Sequence, residues 1–144
     1  MLVGDVLKAK GRRLIIIGPE ATVEEALALF VEHNIGALPV AGATGELLGI
    51  FTERDVILGN HYDFERFHHK LIKEVETPNP VTCSPKATLA EAITKMAKHH
   101  VGQLPVVDGS NLVGLISVGY LIEALHAQVE AENQHLMNYL HGRS

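Results

Sequence analysis

The sequence contains the same unit twice. A run of identities recurs at one constant separation: Pro19 and Pro85, Ala21 and Ala87, Thr22 and Thr88, Glu25 and Glu91, Ala26 and Ala92. It continues through His33 and His99, Gly36 and Gly102, Leu38 and Leu104, Pro39 and Pro105, Val40 and Val106. The repeated unit is longer than a usual solenoid repeat and occurs only twice, so it predicts a pseudo-two-fold pair rather than an extended array.

Within each copy the signals come in the same order. An aliphatic strand is expected over residues 14–17 and, less clearly, over 80–83. Thr22-x-x-Glu25 and Thr88-x-x-Glu91 then read as capping boxes, in which the hydroxyl and the carboxylate satisfy free N–H groups of the first helical turn. Val23, Ala26, Leu27 and Phe30, and in the second copy Leu89, Ala92, Ile93 and Met96, follow helical spacing and mark the buried faces. Gly36 and Gly102 are expected to end the helices and release short strands over 38–40 and 104–107. The proline inside each strand predicts an edge or a strand start, because it brings no N–H to a ladder. Turns over 42–45 and 108–111 lead to strands over 47–51 and 112–116, and second helices open at Thr52 and Ser117.

This order predicts an α/β (α+β) fold of two small sheets with helices packed on them. The organisation expected is a first repeat over 1–59, a linker over 60–70, a second repeat over 71–125 and a C-terminal helical extension over 126–144. The segment 59–67 shows no clear period and reads as part of the linker. The last helix is expected to run to about Leu140, with a narrow apolar stripe of Leu121, Leu125, Val129, Leu136 and Leu140 interrupted at Glu132 and Asn133. Such a stripe is expected to be covered, with a second subunit as the candidate.

Composition narrows the partners. With 144 residues, 47% of them hydrophobic, the chain can bury a core as one compact domain or two tightly packed halves. A net charge of -5 argues against nucleic acid and anionic membrane as partners. The longest aliphatic run, 14–17, is far below the ~20 residues of a membrane span. Lys8, Lys10, Arg12 and Arg13 precede it, but no small-residue cleavage site follows. Cys83 is the single cysteine, so no internal disulfide forms, and a reducing, cytoplasmic location is expected.

The duplicated Gly-x-Leu-Pro-Val strand, together with Gly49-Ile50-Phe51-Thr52-Glu53-Arg54-Asp55, resembles a tandem cystathionine-β-synthase (CBS) domain pair, or Bateman module. The resemblance runs from about Val3 to Leu125 and is nearest to small stand-alone bacterial CBS-pair proteins. It implies a disc-shaped homodimer without catalytic residues. It also implies a regulatory module with no required cofactor, which binds adenosine-containing ligands between the repeats: AMP foremost, or ADP, ATP, NAD(H) or S-adenosylmethionine.

The ligand signature of that family is Gly-h-h-[Ser/Thr]-x-x-Asp, with h apolar. Carried over, it assigns Asp55 to the ribose hydroxyls, Thr52 to a phosphate and Arg54 to phosphate charge. Thr52-x-x-Asp55 equally fits a capping box with no ligand. The resemblance further nominates Ile16, Ile17, Ala37, Leu38 and Pro39 against the adenine; each also fits ordinary core. In the second copy Ser117 keeps the hydroxyl, but Tyr120 stands at the ribose aspartate's position. A neutral phenol cannot accept two hydroxyls as a carboxylate does, so this cleft is expected to be empty, altered or filled by the Tyr120 ring.

The nine histidines show no helical i, i+4 pair, and no metal site is expected. His33 and His99 sit at helix C-termini, and His100 is placed to approach a phosphate across the repeat interface. Cys83 reads as a small core residue. Two functional readings follow. One is an adenine-nucleotide sensor of energy or redox state that reports to an unknown protein partner. The other is a ligand-free structural or dimerisation module acting through such a partner.

Overall fold

The computed structural model describes residues 1–11 and 13–142. Its elements run α1 (Val3–Lys10), α2 (Val23–His33), β1 (Ala37–Ala41), β2 (Leu47–Thr52), α3 (Glu53–Phe67), α4 (Ile72–Val75) and β3 (Thr77–Pro78). They continue with α5 (Leu89–His99), β4 (Gln103–Asp108), β5 (Asn111–Ser117) and α6 (Val118–Leu140). The sheets are β1-β2-β3 and β4-β5, with all strand pairs antiparallel.

Both capping boxes form, with Glu25 N–H donating to Thr22 Oγ1 at 3.2 Å and Glu91 N–H donating to Thr88 Oγ1 at 3.1 Å. Val23, Ala26 and Phe30 are buried in one core, and Leu89, Ala92 and Met96 in the other; Leu27 and Ile93 pack at the margins. The two sheets meet at their hairpins, where Leu112 N–H donates to the Gly45 carbonyl at 3.1 Å.

Neither leading strand forms. Of residues 14–17 only Ile17 pairs, through a single parallel bridge to Val40, and of 80–83 only Cys83, to Val106. The prolines explain the limit. Ile17 N–H donates to the Pro39 carbonyl at 3.1 Å, and Cys83 N–H donates to that of Pro105 at the same distance. A strand residue presents its N–H and C=O to the same side, so both prolines turn a missing donor toward this edge and the ladder stops. The edge position expected for the prolines is what the structure shows.

The helix ends also differ from expectation. The left-handed residues that close α2 and α5 are Asn34 (φ 52°) and His100 (φ 55°), not Gly36 and Gly102. The glycines instead offer their carbonyls to the first N–H of the second helices, Glu53 to Gly36 at 3.0 Å and Val118 to Gly102 at 2.9 Å.

The expected linker is largely helix. α3 continues to Phe67 across a kink at Asp63 (φ −150°, ψ 54°), and that kink resets the buried face and hides the period. The turn after it returns Phe67 to the first core, 6.4 Å from the Phe51 ring. Gly59 is required there, since a Cβ would lie 2.1 Å from the Phe67 ring.

Between the repeats the leading helices are exchanged. α1 opens the first repeat, yet Val3 and Val6 are buried in the core of the second. Short α4 opens the second repeat, yet Ile72 is buried in the core of the first. The docking bonds are pseudo-symmetric. Val3 N–H donates to the Ala87 carbonyl and Ile72 N–H to the Ala21 carbonyl, both at 2.8 Å. Each core is therefore completed by chain that belongs in sequence to the other copy. Ile72→Ala should destabilise the protein by about 2–5 kcal/mol, the cost of a large-to-small change in a closed core. Hydrogen exchange should show the loss first at Val23, Ala26 and Val40 in the first repeat, although residue 72 lies in the second.

Candidate functional site

The exchange leaves a cleft of about 390 Å³ between the repeats. One wall comes from the first repeat: Gly36 and Ala37 at the start of β1, Ile50 on β2, and Thr52, Glu53 and Arg54 where β2 passes into α3. The other comes from the second: Asn79, Pro80 and Val81 leading in, then His100, Val101, Gly102, Gln103 and Pro105. Thr77 on β3 lines the cleft where the two meet.

Thr52 is the N-cap of α3, so the free N–H end of that helix and the Arg54 side chain border the same space. Asp55 lies one layer behind. Its Oδ2 accepts the Thr52 N–H at 2.9 Å and the Thr52 hydroxyl at 3.1 Å, and its Oδ1 accepts the Thr77 hydroxyl at 3.0 Å. The Asp55 N–H in turn donates to Thr52 Oγ1 at 3.4 Å. The capping box and the ligand signature are thus one constellation. A carboxylate has about four acceptor positions, so these bonds leave one free, and a second opens if Thr77 turns away.

Of the residues nominated from sequence, Thr52, Arg54 and Ala37 line this cleft. Ile17 and Leu38 are instead buried in the first core, and Ile16 is 46% exposed outside the cleft. Pro39 is buried in β1 and does not line the cleft. Of the repeat counterparts, Gln103, which matches Ala37, and Pro105, which matches Pro39, both line the cleft. The cleft draws apolar lining from both copies, Ala37 and Ile50 from the one that carries Thr52 and Pro80, Val81 and Pro105 from the other. Thr77, Asn79, Val81 and residues 101–103 line it without having been nominated. The duplication itself was the signal that could have found them. His100 lines the cleft, as its place across the interface suggested.

The pseudo-symmetric second cleft is smaller, about 140 Å³, and is lined by Leu7, Lys10, Arg13 and Leu14 among others. Tyr120 does not fill it. The ring lies under the Lys10 ammonium, 5.0 Å from it, and is not part of the cleft lining, and Ser117 is occupied in capping α6, accepting the Tyr120 N–H at 3.2 Å. What crowds this cleft is Leu7, whose side chain lies where a Cβ on Gly114 would point, 2.6 Å away.

Glu76 holds the equivalent place over Gly49, its carboxyl 2.7 Å from the Cβ position of that glycine. Its Oε2 is buried without a hydrogen-bond partner, and burial raises its pKa above the ordinary glutamate value. Burial likewise pushes the Cys83 thiol up, opposed by the charge of Lys95, which leaves a neutral core thiol. On the far surface the Thr44 hydroxyl bonded to Glu46 lowers that carboxyl.

Among the described residues no cluster of three or more His, Cys, Asp or Glu could hold a metal ion, and no helix is long and apolar enough to cross a membrane.

Glu76→Leu places over Gly49 the residue type that already lies over Gly114. The folded protein holds the Glu76 proton to higher pH than the unfolded chain does, so the native residue weakens folding once the pH exceeds about 4.5. The variant should melt higher than the parent at pH 7, and the difference should shrink toward pH 4. An equal difference at both pH values would assign the gain to packing alone.

Comparison with known proteins places this architecture among others like it. The sequence matches the CBS domain family over residues 3–59 and 72–127. It is 36% identical over 105 residues to the CBS domain-containing protein YhcV of Bacillus subtilis, covering 73% of this chain and 74% of that one. The fold superposes on the CBS domain pair of protein MJ0100 in complex with 5′-methylthioadenosine and S-adenosyl-L-methionine, with a TM-score of 0.78 and 26% identity. That match covers 89% of this chain and 98% of the other. CBSX2 in complex with AMP gives a TM-score of 0.75 at 26% identity, covering 90% and 98%.

Proposed function

The chain belongs to the CBS domain family, and on that premise we propose that it is a regulatory module, without catalysis of its own, that binds an adenine nucleotide between its repeats. The observation that carries this reading is the open cleft in which the Thr52 helix terminus, Arg54 and Thr77, with Asp55 bonded behind Thr52 and Thr77, lie across from His100 and residues 101–103. The apolar wall of Ile50, Pro80, Val81 and Pro105 suits a purine. The α3 N-terminus, Arg54 and His100 suit a phosphate. Asp55 takes a ribose hydroxyl at its free acceptor position or in place of the Thr77 hydroxyl. AMP is the favoured ligand: CBSX2 binds AMP and MJ0100 binds adenosine derivatives on the same fold.

A nucleotide spanning the cleft bonds both repeats at once, so it favours the relative orientation in which both walls reach it. A homodimeric module of this kind would transmit that orientation to a protein partner. The second cleft has lost the carboxylate and is crowded by Leu7, which supports one nucleotide per chain. The engagement of both Asp55 oxygens within the protein favours the alternative of a ligand-free structural module.

Thermal unfolding separates the two. AMP should raise the melting temperature, by the equivalent of about 2.7 kcal/mol at a hundredfold excess over Kd. Asp55→Ala should abolish most of that ligand-dependent shift, besides costing about 1 kcal/mol through the lost cap. Isothermal titration should give one site per chain. No shift with AMP, ADP, ATP, NAD(H) or S-adenosylmethionine, or an undiminished shift in Asp55→Ala, contradicts the nucleotide reading.

A further inference from the structure

The charged residues that border the cleft are few and of mixed sign. Glu53 and Arg54 line it from the first turn of α3, with His100 on the other wall. Asp55, one layer behind, adds a second carboxylate. Among the described residues of the lining Arg54 is the one fixed positive charge, and no lysine accompanies it. It stands against two acids in a chain whose net charge is already -5.

The end of α3 is largely occupied as well. The first four N–H groups of a helix have no partner within it. Here Thr52 N–H donates to Asp55 Oδ2 at 2.9 Å, Glu53 N–H to the Gly36 carbonyl at 3.0 Å, and Asp55 N–H to Thr52 Oγ1 at 3.4 Å. The Thr52 hydroxyl also donates to Asp55. The N–H and the guanidinium of Arg54 are what this wall still offers to an anion. Such a set suits one phosphoryl group. Each further one adds negative charge and meets no further cation.

Glu53 is placed to oppose that added charge. Its carboxyl lies over Gly36, 2.8 Å from where a Cβ on that glycine would stand, so the bare backbone at 36 lets the acid lie along the cleft wall. A glutamate in a first helical turn also complements the helix dipole, but the second copy shows that the fold does not require it. There Val118, Gly119 and Tyr120 stand for Glu53, Arg54 and Asp55, and α6 begins with no acid in its first turn. The two acids and the arginine occur together beside the open cleft and are missing together beside the crowded one. Glu53 therefore goes with the ligand-facing set rather than with the helix.

We infer that the cleft selects adenosine ligands bearing at most one phosphoryl group, and that Glu53 is the residue that turns ADP and ATP away. This selectivity rests on the nucleotide reading above. Isothermal titration of the full chain tests it with AMP, ADP and ATP, at pH 8 and without divalent cations, so that every phosphoryl group carries its full charge. Affinity should fall from AMP through ADP to ATP, by about tenfold overall, the size expected for like charges a few ångströms apart at a partly exposed site. Glu53→Gln keeps the shape and removes the charge. It should narrow the AMP-to-ATP ratio several-fold, chiefly by tightening ATP, and Glu53→Lys should bring ATP level with AMP or ahead of it. ATP binding to the parent as tightly as AMP, or a ratio unchanged in both variants, overturns the selectivity and leaves the nucleotide site standing. Binding of none of the three nucleotides removes the nucleotide reading itself, and the selectivity with it.

Discussion

The two bonds from Val3 to Ala87 and from Ile72 to Ala21 are the constraint on which the arrangement rests. Each fastens the leading segment of one copy to the loop ahead of the capping box in the other. With them, Val3, Val6 and Ile72 close cores they do not belong to in sequence. The repeats consequently cannot separate without opening both cores, so any change in their relative orientation has to keep both leading segments docked. The same exchange brings β3 against β2, through pairing of Ile50 with Thr77, and delivers the Thr77 hydroxyl to Asp55. Packing and site are thus one device.

The departure from symmetry matters as much. Leu7 and Glu76 hold equivalent places over Gly114 and Gly49, and Tyr120 replaces the counterpart of Asp55. The copy that lost the carboxylate also had its cleft crowded by a leucine. The copy that kept it carries a partly buried acid at the same margin, a less stable choice in packing terms.

Much of this was legible in the sequence because it is local. Capping boxes, the Leu89, Ala92 and Met96 face and the long last helix depend on residues a few positions apart, and their spacing reports them directly. The family could be named because two ordered copies of one pattern leave little freedom. What escaped was set by contacts distant in sequence. The exchange of α1 and α4 cannot be seen in either segment alone, and neither can the joining of Ala37 and Ile50 of one copy with Pro80, Val81 and Pro105 of the other around one cleft. The 59–67 helix was hidden by the kink at Asp63, which breaks the period on which helix recognition depends. The missing strands at 14–17 and 80–83 reflect prolines on a neighbouring strand, which composition of the stretches themselves cannot reveal.

If one ligand is held by both repeats together, a crystal structure of the protein grown with AMP should show one nucleotide per chain, its sugar within hydrogen-bond distance of Asp55 or Thr77 and its base against Val81 or residues 101–103. A nucleotide contacting one repeat only, or a cleft still empty at saturating AMP, would contradict it.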